Sequence, residues 1–347
     1  MNRRDFLRFV SASSVTLGAT TLAPGCASGP QARRRHSGAR PASLRGAFSF
    51  DNPRVRCHSP AITKPVRVRF IADTHLWRDD SRGDAFRSYS GRMAKAYNST
   101  RHFETGEPTH PEDSFATTLK LAKDAGSDLV ILAGDLLSFP SEAAIEWVQA
   151  RLAEAGLPHA YVAGNHDWHY EGMEGTSDFL RETWIRKRLG PLYQGDHPLM
   201  ATRDLGGLRI VLLDNSTYEI QPEQLEFYRA QVRSGLPLAL VVHIPLYVPG
   251  RPVGFGCGHP DWGAASDRNH ELERRPRWRE SGHTETTLTF HREVFTTPNL
   301  LGVFAGHIHR ASADVMNGIP QIVSNANATG AYLDLEFLPA EMTGRSG

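Results

Sequence analysis

Five short polar clusters each follow directly on an apolar run. They are Asp73-x-His75 after residues 66–72, Gly134-Asp135 after 128–133, and Gly164-Asn165-His166-Asp167 after 159–163. The others are His243 after 238–242 and Gly306-His307-x-His309 after 300–305. Taken singly, each is a common turn fragment. Their joint occurrence, in order and always behind an apolar run, calls for a common cause. Runs of this length, rich in Val, Ile and Leu, predict buried strands. The carboxyl ends of neighbouring strands in an α/β sheet form a crevice, so the five clusters are expected to converge. Carboxylates, imidazoles and an amide gathered there make a mixed oxygen–nitrogen donor set. Such a set suits Fe, Mn, Zn or Co rather than Ca or Mg, which favour oxygen ligands alone.

The elements that must position these groups are legible in outline. A further apolar run, 208–213, lies between the third and fourth clusters. Helical patterns separate many of the strands, at about 113–125, 141–155, 178–189, 222–233 and 285–296. In the second of these, Ser141 stands where a cap is needed and Gly156 where the helix must stop. After residue 310 two further strands are joined at Asn317-Gly318, and another spans the AYLDLEFL stretch. Strand–helix alternation followed by terminal strands predicts a mixed α/β sandwich. Two long irregular segments, 76–111 and 246–284, interrupt the order. They read either as pocket walls or as surface insertions.

The chain of 347 residues is 40% hydrophobic, enough to bury a substantial core. Its formal charge of +1 is unevenly spread. The first 46 residues carry eight arginines against one acid, Asp5, so the remainder is net acidic. No broad basic footprint is left for nucleic acid, and no specific nucleic-acid partner is expected. The N-terminal NRRDFLRF and the mildly apolar run behind it resemble a twin-arginine export signal over residues 1–30. LAPGC then resembles a lipoprotein processing site ending at Cys26, although Ala23 stands where Leu is usual. The expectation is an exported protein, periplasmic or lipid-anchored through Cys26. Cys57 and Cys257 are too few for a disulfide framework.

The five clusters together resemble the signature of the calcineurin-like metallophosphoesterases over about residues 66–310. The resemblance implies a four-layer αββα sandwich of two mixed sheets flanked by helices, with a dinuclear metal site at the strand C-terminal ends. Carried over residue by residue, it gives one ion Asp73, His75 and His309, and the other Asn165, His243 and His307, with Asp135 bridging. It implies hydrolysis of a phosphoester by a hydroxide held between two transition-metal ions, Fe, Mn or Zn. His166 then faces the substrate, stabilising the transition state or protonating the leaving oxygen. Asp167 either orients or charge-supports His166, or is a carboxylate that stabilises the turn or caps a helix. The domain reading that follows is an export signal over 1–30, a flexible basic arm over 31–64, a catalytic domain over 65–338 and a tail over 339–347.

Within the family, the tyrosine ligand of the purple acid phosphatases has no counterpart in GDLLSFP. The compact spacing from Asp135 to Asn165, with His-Ile-Pro at 243–245, is similar to the phosphodiesterase branch. A small phosphodiester, nucleotide or phospholipid-derived, is the expected substrate. A phosphomonoesterase and a catalytically silent metal-binding scaffold are the alternatives. A zinc peptidase is disfavoured, because the chain has no His-Glu-x-x-His helix.

Overall fold

The computed structural model describes residues 44–96, 100–249 and 283–340. The early strands are β1 (Phe48–Asp51), β2 (Arg54–Ser59), β3 (Val66–Ile71), β4 (Thr100–Arg101) and β5 (Pro108–Thr109). Next come β6 (Leu129–Ala133), β7 (His159–Val162), β8 (Met200–Leu205), β9 (Leu208–Leu213) and β10 (Leu238–Val241). The last are β11 (Leu300–Ala305), β12 (Ser312–Met316), β13 (Ile319–Val323) and β14 (Leu333–Pro339). The helices are α1 (Arg87–Lys95), α2 (Pro111–Asp124), α3 (Glu142–Ala155), α4 (Ser177–Trp184), α5 (Pro222–Arg233) and α6 (Glu285–Val294).

Two six-stranded sheets result, ordered β1-β2-β14-β3-β6-β7 and β12-β13-β11-β10-β9-β8. In the first, β3, β6 and β7 run parallel, and β14 is antiparallel to β3. In the second, β13, β11, β10 and β9 run parallel, with β12 and β8 antiparallel at its edges. Strands 4 and 5 form a separate small ribbon.

The side-chain alternation explains the layering. Leu129, Ile131 and Ala133 of β6 meet Ile210, Leu212, Val241 and Phe304 in a core between the sheets. Val130 and Leu132 turn the other way and pack with Phe115, Leu119, Ile145 and Val148 of α2 and α3. Behind the second sheet, Val211 and Leu240 pack with Leu225 and Tyr228 of α5 and Phe290 and Val294 of α6. These strands are buried on both faces, which is why they read as unbroken apolar runs rather than alternating ones. The expected four-layer sandwich is the fold observed.

Local signals account for many boundaries. Ser141 accepts from the Ala144 N–H to start α3, and Gly156 ends it at φ 66°. Helix α2 begins at Pro111, ahead of its apolar pattern, because the His110 side chain accepts from the Glu112 N–H and proline fits the first helical position. Asn317 and Gly318, at φ 51° and 77°, turn β12 into β13 as expected.

Other expectations need correction. The arm assigned to 31–64 contains β1 and β2, so the sheet starts well before residue 65. Val55 and Cys57 of β2 are buried, and the strand pairs with β14, which continues through Pro339. Arginine and histidine beside these buried positions gave the stretch the composition of an arm, while its period of two was that of a strand. Segment 76–111 is not irregular: it holds a short 3₁₀ turn (Ser81–Phe86), α1 and the β4–β5 ribbon. Burial pushes the free Cys57 thiol up to about 12. The export signal, Cys26, Cys257 and most of segment 246–284 lie outside the described residues. Among the described residues, no helix is long and apolar enough to cross a membrane.

Candidate metal centre

The five clusters meet. Backbone hydrogen bonds stitch the strand-end turns together: Asp73 N–H donates to the Gly134 carbonyl (3.0 Å), His75 N–H to Asp135 (2.9 Å), and Gly306 N–H to His243 (3.0 Å). Five of the polar residues sit in the left-handed region: Asp73 (φ 57°), His75 (53°), Asp135 (48°), His307 (74°) and His309 (54°). This conformation is uncommon and costly for non-glycine residues, and it concentrates where a site over-determines the backbone. Two glycines permit the close approach. A Cβ on Gly164 would lie 2.2 Å from Asp135 N and Oδ1, and one on Gly306 would lie 2.5 Å from Asp73 Oδ2.

Ligand atoms of Asp73, His75, Asp135 and His309 all lie within 4.8 Å of one another, and those of Asp135, His243 and His307 form a second such group. Asp135 belongs to both. In the first group, Nε2 of His309 stands 3.3 Å from Asp73 Oδ1, and Nε2 of His75 stands 3.9 Å from Asp135 Oδ2. In the second, His243 Nε2 lies 3.2 Å from Asp135 Oδ2. The tautomer of His243 follows from its other nitrogen. Nδ1 lies 2.9 Å from the Ala133 carbonyl, which can only accept, so Nδ1 carries the proton and Nε2 faces the cluster. Both carboxylate oxygens of Asp73 accept from the His307 N–H, at 3.0 and 2.8 Å.

The electrostatics are those of a dry, crowded donor set. Burial pulls the His75 imidazole well below its ordinary value. Burial alone would lower His243 too, but the Asp135 carboxylate raises it to about 9. Burial would raise Asp135; the His243 and His166 imidazoles hold it well below the usual carboxylate range.

His166 sits beside both groups without joining either. Its N–H donates to Asp135 Oδ1 at 2.7 Å, and its ring meets the His75 ring edge-on with centroids 4.9 Å apart. Its Nδ1 donates to the Ser138 carbonyl at 3.4 Å. The Asp167 carboxylate is engaged by the backbone of the turns. Asp167 Oδ1 accepts from the Leu137 N–H and Oδ2 from the Gly164 N–H, both at 2.8 Å. These turns leave backbone donors that no ladder satisfies, and the buried carboxylate takes them. Burial, reinforced by the Asp135 charge, pushes Asp167 up to about 7. Trp168 and Tyr170 are fully buried packing residues.

Sequence reasoning missed the residues that brace the turns. Asn327, after β13, donates from its backbone to the Ala72 carbonyl (2.8 Å) and accepts from the Thr74 hydroxyl (3.1 Å). Asn215, after β9, bonds the backbone of His243 and Ile244. The only signal for either was an amide just beyond an apolar run.

The residues present fit two metal ions. The donor chemistry is mixed carboxylate and imidazole, and one observation is independent of it: the Asn165 carboxamide is fully buried, yet neither its oxygen nor its nitrogen has a hydrogen-bond partner. An orphaned buried amide costs about 1–3 kcal/mol unless something else uses it, and a cation would.

The calcineurin-like phosphoesterase family model matches residues 66–311, so the chain belongs to this family of phosphoric ester hydrolases. The chain is 23% identical over 213 residues to a probable cyclic nucleotide phosphodiesterase of Psychrobacter arcticus, covering 59% of this chain and 66% of that one. It is 24% identical over 204 residues to a second protein of the same description from Psychrobacter sp., covering 58% and 52%. The chain thus spans between half and two thirds of the length of these curated relatives. Among solved structures, a dimetal phosphatase from Danio rerio is similar with TM-score 0.47 and 13% identity, covering 76% of this chain and 88% of that one. A purple acid phosphatase from yellow lupin (Lupinus luteus) gives TM-score 0.45 and 15% identity, covering 81% and 47%.

Proposed function

We propose that this chain hydrolyses phosphodiesters with two transition-metal ions, Fe, Mn or Zn. Asp73, His75 and His309 would hold the first ion; Asn165, His243 and His307 would hold the second, with Asp135 shared. The observation that carries this reading is the pair of donor groups joined through Asp135, with the partnerless Asn165 amide beside them. When bound, the ions would activate water as the nucleophile and offset charge on the phosphoryl oxygens.

The protein's own residues do the rest. The His307 N–H fixes both oxygens of Asp73, so that carboxylate cannot rotate. The His166 N–H holds Asp135 Oδ1 and leaves Oδ2 toward His243. The His166 ring, half-buried at the rim, stabilises developing charge or delivers a proton to the leaving oxygen. The strained turns keep the donors from relaxing apart.

Two features support diesters over monoesters: the compact Asp135-to-Asn165 spacing and the similarity to the two Psychrobacter proteins described as probable cyclic nucleotide phosphodiesterases. Turnover of bis(p-nitrophenyl) phosphate should exceed that of p-nitrophenyl phosphate. The reverse ranking would make the protein a monoesterase. The Arg3-Arg4 stretch supports export to the periplasm, with Cys26 the candidate lipid anchor. Cell fractionation of the natural chain and of Arg3→Lys, Arg4→Lys tests this, and an unchanged location would reject it.

A further inference from the structure

The turn after β9, Asp214-Asn215-Ser216-Thr217, is fully buried and supplies no donor to either carboxylate–imidazole group. Its side chains instead reach two loops that carry proposed ligands. The Asn215 carboxamide oxygen accepts from the N–H groups of His243 (3.1 Å) and Ile244 (3.0 Å), and its nitrogen donates to the Ile244 carbonyl (2.7 Å). One side chain therefore holds the backbone at His243 from three directions. On its other side, Trp168 Nε1 can only donate, and it does so to Ser216 Oγ at 2.8 Å. Ser216 then gives its own proton to Asp214 Oδ1 at 2.5 Å, so every direction in the chain is fixed. Asp214 is anchored in turn: Arg181 Nη1 lies 3.5 Å from Oδ1, and Gln224 Nε2 donates to the Asp214 carbonyl at 2.7 Å.

Trp168 ends the turn that carries Asn165. One turn of the second sheet thus braces Asn165 from the first sheet and His243 from its own. Both belong to the second ion. The first-ion turn at Asp73–His75 is braced by Asn327 instead, through Ala72 and Thr74.

We infer that Asn215 and Ser216 are positioning residues for the second ion alone, so that its occupancy is set separately from that of the first. This rests on the two-ion reading above. The test loads the chain, Asn215→Ala, Ser216→Ala and Trp168→Phe with Mn alone, and dialyses them against graded chelator. Asn299→Ala is the control; it removes two part-buried amide bonds, to the carbonyls of Val232 (3.3 Å) and Leu236 (2.6 Å), near the start of β10. Mn per chain, the electron paramagnetic resonance signal and the melting temperature are read for each.

The wild-type chain and Asn299→Ala should keep two ions and a spin-coupled pair signal. The three brace variants should bind the second ion on the order of 10- to 100-fold more weakly and show isolated Mn. Should Asn215→Ala fail to fold, the milder Ser216→Ala and Trp168→Phe still decide the matter. Brace variants that keep both ions at wild-type affinity, or lose them no more selectively than Asn299→Ala, overturn the inference alone. A wild-type chain that binds no Mn overturns the two-ion reading and this inference with it.

Discussion

The Nε2 atoms of His75 and His309 stand 3.0 Å apart, although 234 residues separate them in the chain. Two imidazole nitrogens this close share either a proton or a cation, and Asp73 Oδ1 lies 3.3 Å from the second of them. The arrangement is what a metal ion would need on its nitrogen side. His309→Ala should therefore lower bound metal and reduce phosphodiesterase turnover by roughly 10²–10³-fold, with the circular dichroism spectrum unchanged. Metal content equal to wild type would remove His309 from the ligand set.

Gly164→Ala tests the close approach of the turns. The added Cβ would sit 2.2 Å from Asp135 N and Oδ1, and the backbone N cannot swing aside. A loss of about 1–3 kcal/mol in urea unfolding is expected, together with a fall in kcat from the displaced Asp135. Gly91 lies within α1 with nothing within 4 Å of its added Cβ. Gly91→Ala should instead stabilise by about 0.5–1 kcal/mol. Equal effects at the two positions would contradict the packing argument.

Asp167→Asn separates a structural carboxylate from a catalytic one. The carboxylate accepts from both Leu137 and Gly164, whereas a carboxamide keeps one acceptor and turns an NH₂ group toward the other donor. A stability loss of about 1–3 kcal/mol is expected, with the shape of the pH–rate profile preserved. A displaced profile at unchanged melting temperature would instead make Asp167 the residue that orients His166.

Much of this site was legible because its donors follow strands buried on both faces, so chemistry and periodicity coincide at Asp73, Asp135, Asn165, His243 and His307. The strand-end backbone that aims them was not legible. The left-handed backbone of Asp73 or His75 leaves no mark on residue type, and Asn215, Ser216 and Asn327 matter only through partners distant in sequence. The role of Asp167 stayed open between a partner of His166 and a turn carboxylate, because the backbone donors of Gly164 and Leu137 that it accepts from exist only once the turns have formed. β2 was missed for a different reason. Its alternation of Val55 and Cys57 with arginines was present in the sequence, but the neighbouring basic run suggested an arm.

Glu219 should contribute to acid sensitivity. Burial works to raise this carboxyl, but hydrogen bonds from His283, Thr287 and Thr284 hold it down to about 2, below its ordinary 4.5. A carboxyl depressed in the folded state stabilises fully above its unfolded value, and that contribution disappears as pH falls toward the folded one. Glu219→Gln should therefore melt below wild type at pH 7, with the gap narrowing between pH 4.5 and about 2. A gap that does not change with pH would show that the carboxylate charge is not what stabilises this junction.

The central claim is tested most directly by titrating metal into the chelator-treated chain while following hydrolysis of bis(p-nitrophenyl) phosphate. Activity should be absent without metal, return with Mn, Zn or Fe, and reach its plateau when two ions are bound per chain. Asp135→Asn, which alters the shared ligand, should abolish the plateau. Hydrolysis that persists without metal, or that saturates at one ion and survives Asp135→Asn, would contradict a two-ion phosphodiesterase built on these strand ends.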